Sequence, residues 1–134
     1  DPSLSIEVPT DNANGFLRNV MTEEEAHELI DKIPYIVPIV AEERQLESEY
    51  RTLLRSNQYE DLIKIIKTTY LRNEAKKHAG KKEAEKDASY FRKAENYLYS
   101  ELAVALHMSY EDVKQYVIEQ VQNKIQNMQD TSVL

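Results

Sequence analysis

Apolar residues recur at helical spacing over most of this chain. Near its end, Leu98, Leu102 and Leu106 fall on one face, which predicts a helix that stops close to His107. Ser109 follows and can cap a further helix, whose first turn carries acids. The pattern therefore predicts two helices joined by a sharp corner.

The same spacing predicts three more helices upstream. Thr22 and Glu25 form the capping-box pattern that starts a helix, and Pro34 and Pro38 end that helix in an extended connection. A second capping-box pattern, at 57–60, predicts the start of the third helix. The second, fourth and fifth helices are predicted over about 41–55, 88–107 and 110–126. The predicted inward-facing residues of the first, second, third and fifth helices are Ala26, Leu29, Ile30, Ile33, Leu46, Tyr50, Leu53, Leu54, Leu62, Ile63, Ile66, Thr69, Tyr70, Val113, Val117, Val121 and Ile125.

A different pattern marks the start of the chain. Leu4, Ile6 and Val8 alternate with polar residues, which predicts a short half-buried strand over residues 3–9. The fold class predicted from the pattern is therefore all-α, a compact bundle of about five helices preceded by one β-strand.

Two segments between the helices leave a choice of interpretation. The apolar segment Ile36–Val40 either packs as a strap or forms a site, and packing is favoured. Beyond Tyr70 the apolar stripe stops, so the charged stretch Arg72–Lys86, which Gly80 interrupts, is predicted to be the end of the third helix and an exposed loop.

Charge is distributed unevenly along the 134 residues. The net charge is −7, yet residues 61–95 hold ten Lys or Arg against six Asp or Glu. This basic segment is either an ordinary solvated helix surface or a patch that faces phosphate. Cys is absent, which excludes disulfides and Cys-bound zinc and permits a cytoplasmic location. No membrane span or signal peptide is predicted.

No catalytic constellation is visible in the sequence. His27 starts a zincin-like pattern, but Asp31 stands where the second zinc ligand would be, and His78 and His107 are scattered. There is no glycine-rich phosphate loop, and the nine Tyr fit core packing better than a base-stacking platform. We therefore predict a protein that is not an enzyme and needs no metal or cofactor.

Three segments resemble the CarD family of bacterial transcription regulators. They are Ser5–Ala13 (SIEVPTDNA), Leu62–Leu71 (LIKIIKTTYL) and Leu98–Leu106 (LYSELAVAL), and they occur in the family's order. The resemblance implies an N-terminal Tudor-like sheet domain that binds the RNA polymerase β subunit. It also implies a C-terminal helical domain that contacts promoter DNA near the upstream edge of the melted bubble and stabilises the open complex.

On this resemblance, residues 1–21 are the last strand and linker of the polymerase-binding domain, and residues 22–134 are the helical domain. Some family members insert a Trp into the minor groove just before the position of Tyr50. The corresponding segment here, 41–49, has no Trp and is acidic. The cations that could contact DNA are Arg44, Arg51, Arg55, Lys76, Lys77, Lys81, Lys82 and Lys86.

Two further expectations concern partners. On the resemblance, the strand at Leu4–Pro9 lacks the rest of its sheet, so we expect it either to be disordered in solution or to pair with a second copy and give a weak dimer, and pairing is favoured. The alternative function is a helical protein–protein interaction module without DNA binding, using a Tyr-rich surface or Ile36–Val40. Net charge and the missing Trp favour that alternative.

Overall fold

A computed structural model describes residues 20–133 of the protein, with side chains up to Gln129. The predicted strand, its pairing with a second copy and most of the predicted segment 1–21 lie outside the described residues. Within them the chain is all-helical, which confirms the predicted bundle of five α-helices. The elements are α1 (Glu23–Lys32), a 3-10 turn (Ile33–Tyr35), α2 (Glu43–Leu54), α3 (Tyr59–His78), α4 (Glu85–Leu106) and α5 (Tyr110–Val133).

The first helix begins as its sequence predicts. The Thr22 hydroxyl accepts a hydrogen bond from the Glu25 N–H at 3.0 Å, and the Glu25 carboxylate accepts one from the Thr22 N–H at 2.9 Å. This capping box satisfies two backbone donors that the helix itself leaves unpaired. Ala26, Leu29 and Ile30 are buried, so the predicted inner face of α1 is confirmed.

The capping box predicted at 57–60 is wrong. Asn57 has a φ of 64° and lies before the cap position, which Gln58 occupies without a side-chain hydrogen bond. Ser56 forms the side-chain hydrogen bonds of this turn instead: its hydroxyl donates to the Leu53 carbonyl and accepts from the Gln58 N–H. Asn tolerates a left-handed backbone better than most residues, which explains its presence in this turn.

The predicted corner between α4 and α5 is confirmed, and both helices are capped there. His107 takes a left-handed conformation, with a φ of 57°. The Met108 N–H donates to the Ala103 carbonyl at 3.0 Å, as in a Schellman motif. The Ser109 hydroxyl then accepts from the Asp112 N–H at 3.1 Å and caps α5.

The core lies where α3 and α5 pack against α4. Leu98 and Leu102 of α4 are buried together with Val113 and Val117 of α5. Tyr70, which we predicted to face inward, is 56% exposed. The predicted inner position at Ile125 is also wrong, because this side chain is 39% exposed on a part of α5 where no described side chain is buried.

The predicted inner face of α3 is confirmed at Leu62, Ile63 and Thr69, whereas the burial of Thr68 was not predicted. Thr68 and Thr69 are buried, and their hydroxyls donate to the Lys64 and Ile65 carbonyls at 2.7 and 2.9 Å. A hydroxyl that donates to a carbonyl of its own helix is not left unsatisfied when it is buried, so its burial costs little free energy. The buried face of α3 therefore turns toward Ile65 and Thr68 and leaves Tyr70 at the surface.

The segment Ile36–Val40 packs as a strap along α3. Ile36 and Ile39 pack against the core, while Val37 and Val40 are exposed. The Ile39 N–H donates to the Thr68 hydroxyl at 2.8 Å, which fixes the segment to the middle of α3. The packing interpretation of this segment is therefore supported by the structure.

Candidate nucleic-acid interface

The turn between α3 and α4 gathers lysines from both sides of Gly80. Gly80 has a φ of 72°, its N–H donates to the Lys77 carbonyl at 3.0 Å, and the Lys81 N–H donates to the Lys76 carbonyl at 2.7 Å. These two bonds form a Schellman motif, which reverses the backbone within a few residues. Lys76, Lys77, Lys81 and Lys82 therefore lie at one end of the bundle, and we call them the lysine tip.

Exposure differs among the tip residues and their neighbour in α4. Lys77, Lys81 and Lys82 are exposed, as we predicted, and Lys76 is half-buried. Lys86 was predicted to share this open surface, but its side chain is only 26% exposed. The reason is that Lys86 belongs to the first turn of α4 and packs beside α2, where it contacts Glu43 at 3.4 Å.

Four of the eight candidate cations form intramolecular ion pairs, and four form none with the described residues. The four paired cations are Arg44 with Glu42 at 3.1 Å, Arg51 with Glu47 at 3.5 Å, Lys77 with Glu74 at 3.4 Å, and Lys86 with Glu43 at 3.4 Å. Arg55, Lys76, Lys81 and Lys82 form no ion pair with the described residues. Three of these four unpaired cations belong to the lysine tip.

The structure also separates the candidates in space. Arg55 caps the end of α2 a few residues before α3 begins, whereas the lysine tip comprises the last turn of α3 and the loop that follows it. A helix of 20 residues, such as α3, is about 30 Å long, so Arg55 and the tip lie at opposite ends of it. Arg44 lies at the tip end, because its neighbour Glu43 contacts Arg72 near the end of α3. One flat DNA-contacting surface therefore cannot include all eight residues.

Beneath the tip, a buried carboxylate joins three helices. Asp87 of α4 is completely buried; it accepts from the Tyr50 hydroxyl of α2 at 2.8 Å and from Arg72 Nε of α3 at 2.9 Å. Burial first, and then the hydrogen bond to Asp87, raise the pKa of Tyr50, so this phenol stays protonated as a donor. We call Glu43, Tyr50, Arg72, Lys86 and Asp87 the Arg72 network.

The solvent side of the Arg72 network is closed by Glu43. Its carboxylate lies 3.0 Å from both terminal nitrogens of Arg72, and its Oε2 lies 3.4 Å from Lys86 Nζ. The hydrogen bond from Arg72 lowers the pKa of Glu43, with Lys86 adding to the effect. The sequence pattern predicts an exposed stretch at Arg72 and gives no sign of Asp87, since neither residue belongs to an apolar stripe.

A second surface is an apolar groove between α3, α4 and α5, with a volume of about 520 Å³. It is lined by Ile66 and Tyr70 of α3, Phe91 of α4 and Val121 of α5. At its edge, Lys114 and Glu95 form an ion pair at 2.9 Å. Lys67, which also lines the groove, donates to the Ile36 carbonyl, so the charged groups of the lining have partners and the rest of it is mainly apolar.

The described part of the chain shows few features of other kinds of functional site. It contains no group of three or more His, Cys, Asp or Glu that could hold a metal ion. His27 is exposed and lies edge-on to the Tyr116 ring, with 6.2 Å between the ring centroids. Among the described helices, none combines the length and apolar character needed to cross a membrane.

Comparison of the chain with protein-family models, with curated proteins and with solved structures found no match. The two candidate surfaces of this chain are therefore the basis for inferring its function.

Proposed function

We propose that this chain is the DNA-contacting part of a CarD-like, cytoplasmic transcription regulator, and that the lysine tip contacts the phosphate backbone of promoter DNA. The observation that carries the proposal is the tip itself, where three of the four lysines lack an intramolecular ion pair with described residues. Exposed lysines on a fixed turn can displace counterions from a duplex, which is the main source of sequence-independent affinity.

The three segments that resemble the CarD family support the wider role. On that basis, the N-terminal part of the protein binds the RNA polymerase β subunit and brings the helical domain to the promoter. Bound there, the helical domain would stabilise the open complex by binding and not by catalysis. The absence of Trp from the α2 region means that the proposed contact is with phosphates, without a wedge between base steps.

The test is a mobility-shift series on forked promoter DNA at two or more salt concentrations. Replacing Lys81 and Lys82 by Glu should leave the melting temperature nearly unchanged and reduce the slope of log K against log salt by about two. The matched control replaces Arg51 and Arg55 by Glu at the opposite end of α3, with the same change in net charge. Equal losses in the two double variants would contradict a contact at the tip.

The alternative proposal is a protein-binding module that uses the apolar groove. The groove favours it, because charged residues around it are mostly paired and exposed Tyr70 adds an aromatic edge. Absence of DNA binding even at low salt would favour this alternative. Replacing Tyr70 by Ser should then weaken the protein complex while the Lys81 and Lys82 changes have no effect.

A further inference from the structure

Arg72 presents a fixed guanidinium edge at the surface where α2, α3 and α4 meet. Its Nε donates to Asp87, which is fully buried and is held in turn by the Tyr50 hydroxyl. These inner bonds leave the two terminal nitrogens on the outer edge, and both of them bind the exposed Glu43. An arginine fixed in this way loses little side-chain freedom when it binds an anion.

Glu43 occupies this edge in the way that a bound anion would. Each of its two oxygens lies 3.0 Å from one terminal nitrogen of Arg72, and Lys86 adds a second cation at 3.4 Å. The side chains of Arg72 and Lys86 are 25% and 26% exposed, whereas that of Glu43 is 68% exposed. The two cations are therefore set into the surface, and the carboxylate covers them from the solvent side.

A planar guanidinium fork with a neighbouring ammonium group suits the oxygens of a phosphate as well as those of a carboxylate. Lys86 follows the tip residue Lys82 by four positions, so this fork adjoins the lysine tip. We propose that Arg72 and Lys86 form a binding site for a backbone phosphate of nucleic acid, which Glu43 occupies in the free protein and vacates when nucleic acid binds. This inference rests on the function proposed above, and it makes Glu43 an internal competitor that lowers affinity.

The first experiment compares Glu43→Gln with Glu47→Gln in the same DNA-binding assay. Both changes remove one negative charge from an exposed part of α2 and keep the side-chain size, but Glu47 pairs with Arg51 and not with Arg72. Glu43→Gln should raise the affinity for forked promoter DNA by about tenfold, and Glu47→Gln by about twofold at most. Adding Lys86→Gln to the Glu43→Gln variant should remove most of that gain.

A second experiment tests the site without DNA. The melting temperature of each variant is measured in inorganic phosphate and in chloride at equal ionic strength. Phosphate should stabilise Glu43→Gln more than Glu47→Gln, because only the former frees the Arg72 fork. If the parent fails to bind DNA but Glu43→Gln gains this phosphate effect, the function proposed above is wrong and the anion site stands.

Two results would overturn the inference. Equal behaviour of the two variants with both probes would show that Glu43 acts only through its charge and does not cover a site. A phosphate effect confined to Glu43→Gln, without any gain in DNA affinity where the parent does bind DNA, would exclude nucleic acid as the ligand.

Discussion

Asp87 offers the sharpest test of how the bundle is held together. Replacing it by Ala removes both hydrogen bonds of the only buried carboxylate among the described residues, leaving Tyr50 without its acceptor and Arg72 without its inner partner. Breaking a buried ion pair from one side typically costs about 3–5 kcal/mol. Because Arg72 is 25% exposed and keeps Glu43, we expect the lower end, about 3 kcal/mol of unfolding free energy.

The matched control is Glu85→Ala, two residues earlier in the first turn of α4. It removes the same charge near the same helix terminus, so any effect of the helix dipole is shared by both variants. Glu85 is exposed, and we expect its replacement to change the unfolding free energy by about 0.5 kcal/mol or less.

Urea unfolding followed by far-ultraviolet circular dichroism measures both variants. Tyr50→Phe, which removes only the hydroxyl donor, should cost about 1.5 kcal/mol, and combining it with Asp87→Ala should be clearly non-additive. A loss for Asp87→Ala that equals the loss for Glu85→Ala would refute the account of Asp87 as the joint between α2, α3 and α4.

Two other changes test the core and the pH response. Leu102 is fully buried in α4, so Leu102→Ala should cost about 2–5 kcal/mol by denaturant unfolding, whereas Val104→Ala, at a site 63% exposed, should cost far less; similar losses would contradict the burial of Leu102. Burial, with Glu95 adding to it, raises the pKa of Tyr99 to about 12 from an ordinary value of 10.0. Between pH 10 and about 12 the folded protein therefore keeps a proton on Tyr99 that the unfolded chain releases. The contribution of Tyr99 to the free energy of unfolding is complete below pH 10 and is lost as the pH rises to about 12. Tyr99→Phe should make the urea midpoint less sensitive to pH in that range, and an unchanged sensitivity would count against the burial of this phenol.

Most features that depend on neighbours in sequence were predicted correctly, although the capping box at 57–60 was not. The Thr22 capping box, the corner at His107 and the inner face of α1 each depend on residues a few positions apart, and each is confirmed. Local signals of this kind need no knowledge of what another helix contributes.

Features that depend on distant partners were not predicted. The bond between Tyr50 and Asp87 joins residues 37 positions apart, and periodicity of apolar residues gives no sign of it. Part of the inner face of α3 was also missed: Thr68 is buried because its hydroxyl donates to the Lys64 carbonyl of its own helix, which the pattern of apolar residues does not indicate. Among the candidate cations, the sequence predicted the exposure of Lys81 and Lys82 but could not indicate that Glu43 covers Lys86.

The long fifth helix has a consequence for the dynamics of the molecule. From Ile118 to Gln129 none of its side chains is fully buried, although the backbone remains helical. Val121 still packs against the core, but the residues after it have little tertiary packing, and isolated helices shorter than about 12–15 residues are marginal in water. We therefore expect the amide hydrogens of these residues to exchange with solvent through local fraying, long before those around Val113 and Val117, which should exchange only when the whole bundle opens.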